Sequence, residues 1–143
     1  MLTIRDMNRK LLLLVPAHWA ALFDVVITIT HQPADYWNGN LSRANEGNPI
    51  GAYMMGNHVS GIFVISFVWL VIIGVLGYFL PRKFANVFLL FVLMVHSWGA
   101  STWLSQFYGF WYVIVFIASN SVLFYAIQGA LRVEKGVLTD ELS

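Results

Sequence analysis

Two of the seven acidic residues and three of the four histidines of this sequence are placed where they could do chemistry. Imidazole and carboxylate groups together ligate zinc, manganese or iron, and they also serve as general acids and bases. Their spacing along the chain matches no known catalytic motif, since the sequence contains neither H-E-x-x-H nor G-x-S-x-G. The candidate catalytic residues are Asp24, His96 and Glu46, and the candidate metal ligands are Asp24, His58, His96 and His31.

Asp24 is the most informative of these residues because it lies inside a long apolar segment. Counted at about 1.5 Å per residue, it lies roughly 10 Å below the outer end of a membrane helix that finishes at His31. By the same count His96 lies roughly 12 Å, and Asn120 roughly 15 Å, below the outer ends of two other apolar segments. A carboxylate at that depth is costly unless it is paired or faces water, so we expect these side chains to converge on one cavity. The alternative is a structural role as interhelical hydrogen bonds of about 1 kcal/mol each.

The composition is that of an integral membrane protein. Of 143 residues, 59% are hydrophobic and 10% are charged, and the mean hydropathy is +0.70. Ordinary soluble domains contain roughly a quarter charged residues. The length suits a single transmembrane domain over residues 1–143. A net charge of +1 without a basic stripe argues against nucleic acid as a partner, and the absence of cysteine removes thiolate ligands.

Hydropathy predicts an all-α fold, a polytopic membrane protein built as a bundle of four transmembrane helices. A bilayer core of about 30 Å requires about 20 apolar residues in a helix. Lipid offers no hydrogen-bond partner to an irregular backbone, so the spans should be helical throughout. The connections after the second and third spans are short, which makes neighbouring helices antiparallel. The predicted spans are residues 11–31, 58–80, 84–104 and 110–131, with an outer loop at residues 32–57.

The cationic residues predict the orientation of the bundle. Arg43, in the loop at residues 32–57, is the one cation on its side of the spans. By the positive-inside rule both termini are expected in the cytoplasm, with the chain in the cell (inner) membrane. Aromatic residues such as Trp37 and Tyr108 gather near the opposite, outer boundary, which amphipathic rings favour. The cations of the inner side are Arg5, Arg9, Lys10, Arg82, Lys83, Arg132 and Lys135.

The polar stretch before the second span contains a helix start of its own. Asn48 is a favourable N-cap, and Pro49 suits the first helical position. A continuous helix from Pro49 to Leu80 would be about 48 Å long, well beyond the hydrocarbon thickness. Either its first turns project or tilt outside the membrane, or the helix breaks near Gly56 and Asn57. The second option makes residues 49–56 an interfacial helix.

These features favour a small membrane subunit or binding protein with a His/carboxylate cavity in the outer half of the bundle. Membrane lipid and other membrane subunits are its expected partners. One alternative is a metal-dependent hydrolase, in which a divalent metal activates water against a lipid-linked or peptide substrate at the outer leaflet. Another is a haem-binding subunit that uses two of His31, His58 and His96, although a divalent metal is favoured over haem. A proton relay is disfavoured because the inner half offers few further titratable groups.

Overall fold

The computed structural model describes residues 4–140, with side chains described for residues 7–132, and all regular structure in this range is helical. The side chains of Arg5 and Lys135, two cations used to predict the orientation, lie outside that part. The α-helices are α1 (Ile4–Thr30), α2 (Ala34–Trp37), α3 (Pro49–Asn57), α4 (Gly61–Phe79), α5 (Arg82–Phe107) and α6 (Phe110–Asp140), and a 3₁₀ helix covers Leu41–Arg43.

Four of these helices are long and apolar enough to cross a membrane. This confirms the predicted number of apolar helices. The limits of their apolar segments lie within about four residues of those expected from hydropathy. Helix α5 extends beyond the expected stretch at both ends, whereas α4 is shorter and begins only at Gly61. The four segments are Met7–Thr30, Gly61–Phe79, Arg82–Phe107 and Phe110–Arg132.

Helices α1 and α5 form the centre of the bundle, and α4 and α6 each pack against both. Small side chains on α1 allow this close packing: Ala17 and Ala21 are buried against Ile73 of α4 and Val92 of α5. A second cluster joins α1, α5 and α6 nearer the segment between α1 and α4; it contains Ile27, Ala100, Trp103, Leu104 and Phe116.

The outward surfaces of the four long helices are covered by large apolar side chains. Phe67 of α4, Phe91 of α5 and Val122 of α6 are all exposed. Apolar side chains on the outside of a helical bundle suit lipid as the surrounding solvent. The interior turns of a helix also present no unpaired backbone polar group to the lipid.

The short helix α3 begins and ends for identifiable reasons. The side chain of Asn48 accepts a hydrogen bond from the backbone N–H of Ile50 at 3.0 Å, and Pro49 occupies the first helical position, as the sequence predicts. The helix ends at Asn57, and α4 begins at Gly61. A Cβ atom at Gly61 would overlap the carbonyl group of Met54, so a glycine lets α4 start directly against α3.

Candidate functional site

A chain of two hydrogen bonds joins three helices in the interior of the bundle. His96 of α5 places Nδ1 2.8 Å from Oδ2 of Asp24 on α1. The indole Nε1–H of Trp69 on α4 donates to His96 Nε2 over 2.6 Å. The structure therefore brings Asp24 and His96 into contact, and it adds Trp69 as a third partner.

These bonds determine which nitrogen of His96 carries the proton. An indole N–H can only donate, so Nε2 of His96 accepts from Trp69 and carries no proton. The proton of the neutral ring is then on Nδ1, which donates to Asp24. The imidazole consequently supplies no positive charge to the carboxylate of Asp24.

Gly99 provides the space that the carboxylate of Asp24 occupies. A Cβ atom at this position of α5 would lie 2.8 Å from Oδ2 and 3.0 Å from Oδ1 of Asp24. Gly99 follows His96 by three residues and therefore lies on the same helix face. The glycine allows α1 to place its carboxylate against α5 beside the imidazole.

The amide side chain of Gln32, just beyond the end of α1, is 6% exposed and holds a later part of the same connecting segment. Its Nε2 donates to the carbonyl oxygen of Asn45 at 2.8 Å, and its Oε1 accepts from the backbone N–H of Asn45 at 2.9 Å. This two-point contact fixes the backbone of Asn45. It thereby sets the position of Glu46, the next residue.

Glu46 lies beside the start of α3. Its Oε1 accepts from the backbone N–H of Asn48 at 2.7 Å, and a Cβ atom at Gly51 would lie 2.9 Å from its Cγ. Burial raises the pKa of Glu46 above its usual value, the negative charge of Asp24 adds to this effect, and backbone hydrogen bonds from Asn48 and Gly47 oppose it. Burial and the nearby carboxylate of Asp24 thus both disfavour the ionised form of Glu46.

A cavity of about 390 Å³ lies between these groups. Its floor and walls come from α1, α4 and α5, and residues 46–48 with Gly51 close one side. It contains all three candidate catalytic residues together with three indole rings. Its lining includes Asp24, Glu46, His96, Trp69, Trp98 and Trp103.

The structure does not bring the four candidate metal ligands, Asp24, His58, His96 and His31, together. His31 lies at the end of α1, where Nδ1 contacts the carbonyl oxygen of Ile27 at 2.9 Å and Nε2 contacts the hydroxyl of Tyr108 at 3.0 Å. His58 is exposed at the turn before α4, and its Nδ1 accepts from the backbone N–H of Ser60 at 3.0 Å. Both rings are held by local contacts at helix ends. Over the residues that the structure describes, no group of three or more His, Cys, Asp or Glu side chains is placed to hold a metal ion.

Asn120 makes a separate contact away from the central hydrogen bonds. It is buried on α6, and its Nδ2 donates to the hydroxyl of Ser97 on α5 at 2.9 Å. Ser97 is the neighbour of His96 in the chain, so its side chain leaves α5 on a different face. Asn120 therefore links α6 to α5 and is not among the residues that line the cavity.

Sequence reasoning missed Trp69 and Gln32 as parts of this site. Trp69 is eight residues beyond the start of α4 at Gly61, roughly 12 Å along the helix, which is the depth already counted for His96. A buried indole N–H needs an acceptor, so its depth was a usable signal. Gln32 carried no comparable signal, because its partner is backbone and backbone groups have no sequence pattern.

Comparisons with protein-family models, curated proteins and solved structures find no match to this chain.

Proposed function

We propose that this chain is a multi-pass membrane protein, with both termini in the cytoplasm, that binds a small ligand in the cavity lined by Asp24, Glu46 and His96. The observation that carries the proposal is the cavity itself. Its volume of about 390 Å³ falls in the range of small-molecule sites, and a few polar groups converge on it from otherwise apolar walls. A binding protein or ligand-holding subunit of a membrane assembly uses such a site.

The basic residues support the proposed orientation. Arg9 donates to the carbonyl oxygen of Leu131 at 3.3 Å, and Lys10 donates to that of Tyr78 at 2.9 Å. Arg82 lines the same small cavity as both cations, so three cations from α1 and α5 gather at one end of the bundle. Clustered lysine and arginine favour the cytoplasmic side, and in the proposed orientation the cavity of Asp24 then faces the outer side.

The hydrogen bonds of His96 favour binding over catalysis. A general base or a metal ligand needs a free ring nitrogen, and both nitrogens of His96 already have partners in Asp24 and Trp69. A metal-dependent hydrolase would also need further ligands beside this pair, and His31 and His58 are engaged elsewhere. A binding site needs only a fixed carboxylate and a shaped cavity, and both are present.

Thiol labelling tests whether the cavity is open to the outer side. The chain has no cysteine, so Ser66→Cys introduces a single thiol into the cavity wall. We expect a membrane-impermeant reagent to label this variant in intact cells. The matched control is Ser121→Cys on the outward surface of α6, where the bilayer should exclude the reagent. Absence of labelling at position 66, or equal labelling of both variants, would contradict the proposal.

A further inference from the structure

The cavity has negative groups and no cation to balance them. The carboxyl groups of Asp24 and Glu46 both line it, and no lysine or arginine is among its described lining residues. His96 is uncharged because its Nε2 accepts from Trp69. Oδ2 of Asp24 accepts from His96, whereas Oδ1 forms no hydrogen bond within the described residues. One carboxylate oxygen of Asp24 is therefore available to a ligand.

The walls of the cavity are suited to an organic cation. Trp69, Trp98 and Trp103 contribute indole rings to the lining. The face of an indole carries a negative quadrupole and attracts cations, more strongly than the ring of tyrosine or phenylalanine. A hard metal cation instead requires about six or more oxygen ligands, which these apolar walls do not provide.

The cavity also borders the apolar flank of the bundle. Two of its lining residues lie on the outer surface of α5, where Trp98 is 72% exposed and Val95 is 41% exposed. A ligand held beside these two residues can have its polar group inside the cavity and an apolar part toward the membrane. The volume of about 390 Å³ accommodates an ammonium head group with its substituents.

We infer that the cavity selects an organic ammonium group, with Asp24 as its principal counter-ion, Glu46 as a second carboxylate and the indole faces of Trp69, Trp98 and Trp103 around it. This inference rests on the proposed binding function and names its ligand class. The ammonium group comes either from a free amine or from the head group of a membrane lipid, which share this chemistry.

Charge-selective labelling of Ser66→Cys is the first test. Two methanethiosulfonate reagents are compared, one carrying a trimethylammonium group and one carrying a sulfonate group. We expect the ratio of their rates, divided by the ratio for a free thiol in solution, to be about tenfold or more in favour of the cation. Glu46→Gln and Asp24→Asn should each lower this ratio toward one. A ratio of one in the parent variant overturns the inference.

The two carboxylates are tested separately, so the result does not depend on the folding of a single variant. Asp24→Asn removes a carboxylate inside the bundle, whereas Glu46 lies outside the long helices, so Glu46→Gln provides an independent measurement. Trp98→Leu should weaken the preference for the cationic reagent at least about threefold. Trp111→Leu is the matched control, because Trp111 is 74% exposed but does not line the cavity. Equal effects of the two tryptophan changes would contradict a role of the indole face.

Protection experiments distinguish the two sources of the ammonium group. Tetramethylammonium chloride is added to Ser66→Cys at an ionic strength matched with sodium chloride, and slower labelling indicates a free cation as ligand. In parallel, the protein is placed in nanodiscs of phosphatidylethanolamine or of phosphatidylglycerol, and slower labelling in the first alone indicates a lipid head group. Protection in neither arm overturns the inference.

The outcomes separate this inference from the proposed function. If position 66 reacts with neither reagent, the open cavity is absent and the proposed function fails. If it reacts with both reagents at the free-thiol ratio and no ammonium compound protects it, the cavity is open but not selective for a cation. In that case the binding function stands and only the ligand class is wrong.

Discussion

Asp24 and His96 are expected to be energetically coupled. Asp24→Ala leaves the Nδ1–H of His96 without its acceptor, and His96→Ala leaves a carboxylate without its donor inside the bundle. The double variant leaves neither group unsatisfied, so its loss of stability should be smaller than the sum of the single losses by about 0.5–3 kcal/mol. Thermal unfolding of the four proteins in detergent measures the difference. Additive losses would show that the pair does not interact.

Asp24→Asn separates the shape of this carboxylate from its charge. The amide keeps an oxygen that accepts from His96, so the variant should fold with a melting temperature close to that of the parent protein. It removes the negative charge, so the preference for the cationic thiol reagent should fall. A variant that folds and retains the full preference would assign the selectivity to other groups.

Trp69 is expected to hold His96 in one tautomer. In the parent protein the Nε2 nitrogen accepts from the indole, so the neutral ring carries its proton on Nδ1. Trp69→Phe keeps an aromatic ring but removes the N–H donor, which leaves Nε2 free to carry a proton. Nitrogen-15 NMR of histidine-labelled protein distinguishes the two tautomers. Spectra that show Nε2 protonated in the parent protein would contradict the hydrogen-bond assignment.

Glu46 should make the stability of the protein depend on pH. Burial raises its pKa in the folded state above 4.5, with a further contribution from the charge of Asp24. The folded state then binds this proton more tightly than the unfolded state, so stability falls as the pH rises from the unfolded value through the higher folded value. Glu46→Gln should flatten that fall and be the more stable protein above it. Melting temperatures measured across this range test the sign, and a parent stability that rises with pH there would contradict it.

The residues of the site differ in how far the sequence predicts them. Asp24 and His96 are ionisable groups within apolar spans, so counting residues from the helix ends is enough to place them at one depth. Counting residues from the start of α4 places Trp69 at the same depth, but an indole is usually assigned to the membrane boundary. Gln32 contacts only backbone atoms of Asn45, and such a contact depends on the path of the loop.

Gly99 and Gly61 lie at two of the close contacts between helices. A Cβ atom at Gly99 would lie 2.8 Å from Oδ2 of Asp24, so Gly99→Ala should displace the carboxylate and destabilise the bundle by about 1–3 kcal/mol. Gly61→Ala should cost more, because its Cβ would meet the backbone of Met54, which cannot rotate away. Thermal unfolding measures both changes.

Gly129→Ala is the control for these substitutions. Gly129 lies within α6, and no atom lies within 4 Å of a Cβ at that position among the described residues. Alanine is the better helix former, so this variant should be unchanged or more stable by up to about 1 kcal/mol. If Gly99→Ala and Gly61→Ala had the same small effect on stability as Gly129→Ala, that result would contradict the close approach of α5 to α1 and of α4 to α3.

The boundaries of α3 show what sequence patterns determine at the level of an element. The start at Pro49 follows from a local cap, the side chain of Asn48, and was predictable from two adjacent residues. The helix ends at Asn57, in the stretch of Gly56 and Asn57 where a break was one of the two expected options, and a turn at residues 58–60 follows. The start of α4 at Gly61 depends on the contact of this glycine with α3, which is tertiary and leaves no local pattern.

For the whole molecule, hydropathy predicts the number of long helices but not their arrangement. Lipid selects apolar side chains on every outward face, so the pattern of each helix carries little information about which face is buried. The central position of α1 and α5 depends on small residues such as Ala17, Ala21 and Ala100. Small residues are common in membrane helices, and their presence alone does not identify the partner helix.

The orientation of the whole bundle is tested by thiols at its two ends. Ser42→Cys lies in the exposed segment between α1 and α3, and Ser143→Cys lies beyond the described residues at the C-terminus. Because the cations gather at the other end, the positive-inside rule predicts that Ser42 lies outside and the C-terminus in the cytoplasm. An impermeant thiol reagent should therefore label Ser42→Cys in intact cells and label Ser143→Cys only after the membrane is opened. With no native cysteine, the unsubstituted protein provides the blank. Labelling of Ser143→Cys alone in intact cells would show that the bundle has the opposite orientation. The cavity of Asp24 would then take its ligand from the cytoplasmic side.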